Sequence, residues 1–189
     1  LEERVYCIYI APLKALANDV NRNLNEPLQQ MKELAAREGM PVPEISVAVR
    51  SGDTPQNERQ KMVRHPPHIL ITTPESMALI LASPKFKEAI KKVEWVILDE
   101  IHDICDSKRG AFLSLTLEML KNYCETDFTR IGLSATMAPI EEIAKYLVGF
   151  DKGGEARPVA LIESSSKKVL DLKVICPTDD MTTLPTDVV

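Results

Sequence analysis

Short runs of β-branched, aliphatic and aromatic residues alternate along this chain with stretches of helical periodicity, and that alternation limits the folds open to it. The runs are Val5 to Ile10 (VYCIYI), Ile45 to Val49, His68 to Thr72 (HILIT), Val93 to Leu98 (VEWVIL) and Thr129 to Leu133. The first is too continuously apolar for a strand with one wet face, which points to a parallel sheet covered on both sides. Between the first two runs, Leu13, Leu16, Val20, Leu24, Leu28, Met31 and Leu34 recur at helical spacing. They predict a helix from Leu13 to Glu38 that Pro27 should kink or split and that Gly39-Met40-Pro41 ends. Thr54-Pro55, Thr73-Pro74 and Ser83-Pro84 share a helix-start signature, a hydroxyl cap followed by proline at the first helical position. Lys108 to Tyr123 carries Phe112, Leu115 and Met119 besides Leu113, Leu117 and Leu120, so most of its circumference is apolar and heavy burial is expected. Pro139 to Val148 is the last helix, stopped by Gly149. The expected fold is α/β: three layers, a mainly parallel central sheet and helices on both faces, with function collected at the carboxyl ends of the strands. After Gly153-Gly154 the alternation weakens through Pro158 to Glu163 and Val169 to Cys176 into a polar tail that reads as a linker.

Composition narrows the function. The chain has 189 residues, 44% hydrophobic and 27% charged, enough for one core and too balanced for a disordered or coiled-coil protein. No segment approaches the ~18 apolar residues of a membrane span, because Val93 to Leu98 runs straight into Asp99 and Glu100. The four cysteines form no C-x-x-C pair and read as reduced core thiols, and the three histidines are not spaced as metal ligands. The net charge of −5 gives no broad basic face, so any contact with nucleic acid must be local.

The sharpest chemical signal is Asp99-Glu100-Ile101-His102 at the end of the fourth strand run. Two adjacent carboxylates delivered by a buried strand form the Walker B arrangement. The first holds hydrated Mg²⁺ on a nucleoside triphosphate, and the second orients and deprotonates the attacking water. A strand that merely ends in acidic residues before a turn gives the same pattern, so the pair needs support from elsewhere. Ser134-Ala135-Thr136 places two hydroxyls at the end of the next strand run, within expected reach of the acidic loop. Trp95, with apolar neighbours inside a strand run, reads as a core side chain rather than a base-stacking platform.

Taken in order, the segments at 11–19 (APLKALAND), 50–59 (RSGDTPQNER), 71–77 (ITTPESM), 99–104 (DEIHDI), 108–118 (KRGAFLSLTLE) and 130–139 (RIGLSATMAP) resemble the first RecA-like motor domain of superfamily-two helicases. Within that superfamily the S-G-D-T-P, T-T-P-E-S and K-R-G segments and the ending LDLKVICP look most like the Lhr (large helicase-related) family. The resemblance covers nearly the whole chain. It implies that Asp99 binds Mg²⁺ through water, Glu100 is the general base, and His102 couples hydrolysis to strand movement with Ser134 and Thr136. It also implies strand contacts at Pro12, Leu13 and Lys14, at Arg50, Gly52, Asp53 and Thr54, and at Thr73 and Pro74. Helix starts there offer free N–H groups to phosphates, although Thr54 and Thr73 are equally explained as simple caps. For Arg50 and Arg59 a solvated surface role competes with strand contact. Arg109 and Gly110 match the family without a physical account from sequence.

One departure is serious, because no G-x-x-x-x-G-K-[ST] phosphate cradle occurs. With the first matching segment at residue 11 and no initiating Met, the expectation is a fragment from which the upstream segment carrying that loop has been cut away. Residues 1–165 would be a partial first RecA-like domain, and 166–189 a linker or the start of the second. The resemblance implies ATP and Mg²⁺ as cofactors, and a nucleic-acid strand and a second RecA-like domain of the same parent as partners. It also implies a cytoplasmic or nucleoid-associated location. DNA is the favoured strand; RNA or an RNA–DNA hybrid is a rival, and a non-catalytic docking module is another.

Overall fold

The computed structural model describes residues 1–135 and 139–162. The chain divides into two units, Leu1–Val159 and Ala160–Val189, and every element below belongs to the first. Of the second, only residues 160–162 are described. Thr136, the Val169 to Cys176 run and the expected domain boundary at 165–166 lie outside the described residues.

Five four-residue strands, β1 (Cys7–Ile10), β2 (Val47–Arg50), β3 (Ile69–Thr72), β4 (Trp95–Leu98) and β5 (Thr129–Gly132), form one sheet of order β2-β3-β1-β4-β5. Every pairing is parallel, as the continuous apolar runs predict. The helices are α1 (Lys14–Arg37), α2 (Gln56–Arg64), α3 (Pro74–Leu81), α4 (Lys108–Tyr123) and α5 (Ile140–Val148), with 3₁₀ turns at Lys87–Ile90 and Ile101–Asp103.

Connection handedness sorts the helices into layers. The β1 to β2 crossover runs one way along the sheet and the β2 to β3, β3 to β4 and β4 to β5 crossovers run the other. With one hand for all, α1 falls on one face and the later helices on the opposite face. The packing agrees: Tyr9, Ile69 and Ile71 meet Leu16, Ala17, Val20 and Leu24 of α1. On the other side Ile8, Ile10, Leu70, Val96 and Leu98 meet Met62, Met77, Ile80, Leu113, Leu117, Leu120 and Leu147. Each fully buried aliphatic side chain contributes about 1.5–3 kcal/mol, so this second, larger core carries most of the stability.

Several expectations are corrected. Helix α1 is not split at Pro27 and continues from Lys14 to Arg37. Ser83-Pro84 starts no α-helix and is followed only by the 3₁₀ turn at Lys87–Ile90. Helix α4 is buried on one side only, because it packs on the sheet and α3 while Phe112, Leu115 and Met119 face outward. Trp95 is not a core residue; it is 46% exposed. It stands in register with Cys7 at the start of β4, whereas α1 packs mainly over β2 and β3. Cys7, Cys105 and Cys124 are free and partly buried. No helix among the described residues is long and apolar enough to cross a membrane.

The far end of the sheet is locked by charge. Arg157 grips both Glu118 oxygens at 2.7 Å and Arg130 Nη2 donates to Oε1 at 3.0 Å. Both guanidiniums also donate to the Val148 carbonyl at the end of α5, where cations complement the helix dipole. Gly149 is required there, since its φ is +69° and a Cβ would stand 2.6 Å from Glu118 Oε1. Arg157 chiefly holds the Glu118 carboxyl below the usual range, with burial opposing and Arg130 assisting. A carboxylate depressed in this way adds stability that is present above its unfolded pKa and lost as pH falls through the folded value. Glu118→Gln should therefore cost about 2 kcal/mol at pH 7 in denaturant unfolding. The gap to the unsubstituted protein should close as pH falls below about 4.

Candidate functional site

In the parallel register Arg50, Thr72, Ile10, Leu98 and Gly132 end level, so the loops that follow all five strands leave one edge of the sheet. That edge gathers Pro12 to Lys14, Ser51 to Thr54, Thr73-Pro74, Asp99 to His102 and Ser134-Ala135. Sheet order reverses about β1, the central strand, which is where open α/β sheets form a ligand crevice.

The acidic loop is held from both sides. Asp99 N–H still bonds the ladder through Ile10 O at 2.9 Å, and Ile101 N–H donates to Leu133 O at 3.0 Å. Asp99 Oδ1 accepts from Glu100 N–H at 3.0 Å, and Oδ2 accepts from the Tyr9 hydroxyl at 2.6 Å. Burial first, and the Asp99 carboxylate second, push the Tyr9 phenol well above its ordinary range, so it stays a donor. Tyr9 is a residue that sequence reasoning missed, because VYCIYI reads as core. A hydroxyl one residue from the strand's end, beside the acidic strand, was the available signal.

Glu100 adopts φ 46°, ψ 46°, the one positive φ at a non-glycine among the described residues. Such strain persists when the surroundings over-determine it and clusters at functional sites. The turn brings Glu100 Oε2 to 3.2 Å from His102 Nδ1. The same nitrogen lies 3.3 Å from Ala135 N–H and 3.4 Å from Ser134 Oγ. One ring nitrogen cannot donate to the carboxylate and accept from the amide at once. His102 therefore links the acidic pair to the Ser134-Ala135 loop through alternatives at a single atom.

The other predicted residues line the same edge. Leu13 is the exposed N-cap of α1 and makes no side-chain cap bond, so among the described residues no side chain caps the first-turn N–H groups of that helix. Lys14 pairs with Asp53, which brings together two segments that lie about forty residues apart in the chain. A Cβ on Gly52 would meet only the Lys14 side-chain end at 3.8 Å, so its surroundings are open. Thr73 caps α3 through Ser76 N–H, with Pro74 in the first turn as expected. Thr54 departs from expectation: Pro55 takes the N-cap position of α2. The buried Thr54 hydroxyl instead accepts from Ser51 N–H and donates to Val49 O, closing its own loop. Arg59, rather than being a solvated side chain, donates to the carbonyls of Thr54, Ser51 and Gly52. Arg50 stacks on the Phe86 ring at 4.7 Å, and desolvation lowers its pKa.

The Asp99 carboxylate suits a hydrated Mg²⁺ that one or two carboxylates and a substrate's phosphates share, since it offers hard oxygens in a fixed orientation at a partly open edge.

An all-parallel sheet of this order, with paired carboxylates after a strand beside the centre, is a RecA-like α/β domain. The DEAD/DEAH box helicase model matches residues 1–143, and the chain belongs to that family. The ATP-dependent helicase Lhr-Core of Methanothermobacter thermautotrophicus is 53% identical over 181 residues, 96% of this chain and 21% of the relative. That of Saccharolobus solfataricus is 46% identical over 182 residues, 96% and 20%. Among solved structures, Mycobacterium smegmatis helicase Lhr bound to ssDNA and AMP-PNP matches with a TM-score of 0.75 at 50% identity, over 78% of this chain and 19% of that one. The chain spans about a fifth of the length of these relatives.

Tyr9→Phe removes the donor from Asp99 and should cost about 1–2 kcal/mol at neutral pH in equilibrium unfolding. Because folding raises the phenol's pKa, that contribution is complete below about pH 10 and is lost as pH rises through the folded value.

Proposed function

We propose that this chain is part of the first motor domain of an ATP-dependent DNA helicase, coupling Mg-ATP hydrolysis to movement along a strand. The observation that carries the reading is the link from Glu100 through His102 Nδ1 to Ser134 and Ala135, on the edge that also gathers the strand-contact candidates. Mg²⁺ bound at Asp99 would neutralise charge developing on the transferred phosphoryl group. Asp99 is held for that duty by Tyr9 and by the Glu100 N–H. Glu100, paired among the described residues only with His102, orients a water and takes its proton. His102 registers the change, because its Nδ1 donates to the carboxylate in one state and accepts from Ala135 N–H in the other.

Strand contact uses backbone and hydroxyl groups rather than a basic face. The uncapped start of α1, Lys14 with Asp53, the loop of Gly52 and Thr54, Arg50 and the Thr73-Pro74 start of α3 address phosphates, which position a strand without reading its bases. Thr136 joins the coupling set by resemblance. DNA is favoured over RNA because the half-identical structural relative is bound to ssDNA. The nucleotide site is completed by a phosphate loop and by a second RecA-like domain, both belonging to the intact protein.

Glu100→Gln in the intact protein should lower strand-stimulated ATP turnover at least a hundredfold while changing nucleotide affinity by less than about threefold, since proton transfer is worth 10²–10⁴. Equal losses of affinity and rate would contradict the assignment. Stimulation by RNA alone would move the substrate class, and no turnover with any strand would leave a docking module. The purified 189-residue chain should show no Mg²⁺-dependent ATP turnover above background in a phosphate-release assay.

A further inference from the structure

The Lys108-Arg109-Gly110 segment has no part in the site as described, yet it touches three of its pieces. Ser107 caps α4 by accepting from Gly110 N–H at 3.1 Å while its hydroxyl donates to Ile104 O at 2.7 Å. A Cβ on Gly110 would lie 2.1 Å from Ile104 O, so only glycine lets the first turn of α4 sit directly on the turn that ends the acidic loop. From that anchored turn Arg109 reaches across the sheet edge. Its Nε and Nη2 fork the two Glu75 oxygens, the second at 3.1 Å, and Nη2 also donates to Pro12 O at 2.6 Å.

A cation in the first turn of a helix opposes the helix dipole, so this placement is not explained by α4 itself. Nor does the pair explain itself by stability, because both side chains are substantially exposed and such bridges are worth little. What the fork supplies is geometry. Pro12 precedes the start of α1, and Glu75 lies in the first turn of α3, the two helix starts offered to phosphates. One planar guanidinium fixes both, and the bidentate fit allows little freedom. It also neutralises Glu75, whose free carboxylate would repel a phosphate approaching Thr73-Pro74. The pairing holds the Glu75 carboxyl below its ordinary range.

We propose that Arg109 is a positioning residue that sets the spacing of the α1 and α3 helix starts and ties that spacing to the acidic loop through α4. This rests on the motor reading above. The role assigned to Arg109 runs through Pro12 and Glu75.

The test uses the intact protein, with ATP turnover followed against the concentration of a single-stranded DNA oligonucleotide and strand affinity measured by fluorescence anisotropy. Arg109→Ala should raise the half-saturating strand concentration about tenfold. Turnover at saturating strand and the KM for ATP should move less than about twofold, a split that a general loss of structure does not produce. Arg109→Lys keeps the charge without the fork and should give a smaller rise with the same split. It carries the test if the alanine variant fails to fold. Unchanged strand dependence in the variants, or parallel loss of turnover and nucleotide affinity, would overturn the proposal while leaving the motor reading in place. No strand response in the unsubstituted protein would overturn both.

Discussion

The parallel register of the sheet is the constraint on which the rest depends. Because each of the five strands advances in the same direction and Ile10 aligns with both Thr72 and Leu98, chain segments up to about a hundred residues apart in sequence leave the sheet side by side. An antiparallel partner anywhere in that series would send its following loop to the opposite edge. The register is secured chiefly at β1 and β3, which are covered on both faces, so that slippage by one residue would exchange the side chains facing α1 with those facing the opposite layer. Ile8, Ile10, Leu70, Val96 and Leu98 therefore stabilise the domain and set its chemistry at once, because their alignment determines where Asp99 and Tyr9 meet.

On that edge, precision comes from short polar ties added after the ladder ends. Tyr9 and the Glu100 N–H occupy one oxygen each of Asp99. The turn that follows is strained at Glu100, and the ladder bonds of Ile101 and Leu133 hold the strain in place. His102 Nδ1 alone faces three neighbours, while Nε2 lies 3.5 Å from Asp103 Oδ1. A group with two incompatible partners is a natural two-position element, and two sites can be coupled by biasing it. On the other flank Arg109 extends the rigid start of α4 to the helix starts at Pro12 and Glu75. Ser107, Gly110 and Ile104 seat that start directly on the turn after the acidic loop.

Much of this was legible in the sequence. Continuous apolar runs separated by helical periodicity predicted the parallel sheet, and the carboxylate pair directly after VEWVIL marked the edge. Proline after a hydroxyl residue correctly located the start of α3, with Thr73 as its cap. The same pattern misled at Thr54, whose hydroxyl bonds its own loop so that Pro55 takes the cap position. At Ser83 only a 3₁₀ turn follows. Trp95 and the outer face of α4 failed for a different reason. Apolar neighbours in sequence say that a strand or helix is buried somewhere, but which corner a helix leaves uncovered is decided by the crossover path. Tyr9, Arg59 and Arg109 act through contacts distant in sequence or with backbone carbonyls, neither of which periodicity records.

The central claim is that one edge joins the nucleotide's state to the grip on a strand, and linkage makes that claim directly measurable. The affinity of the intact protein for a single-stranded DNA oligonucleotide should be measured with AMP-PNP and Mg²⁺ and again without nucleotide. The affinity for AMP-PNP should be measured with and without the strand. The account predicts that each ligand changes the other's affinity by the same factor, at least about fivefold, and that His102→Ala brings the factor close to one. Independent binding, with both affinities unchanged by the other ligand, would contradict it.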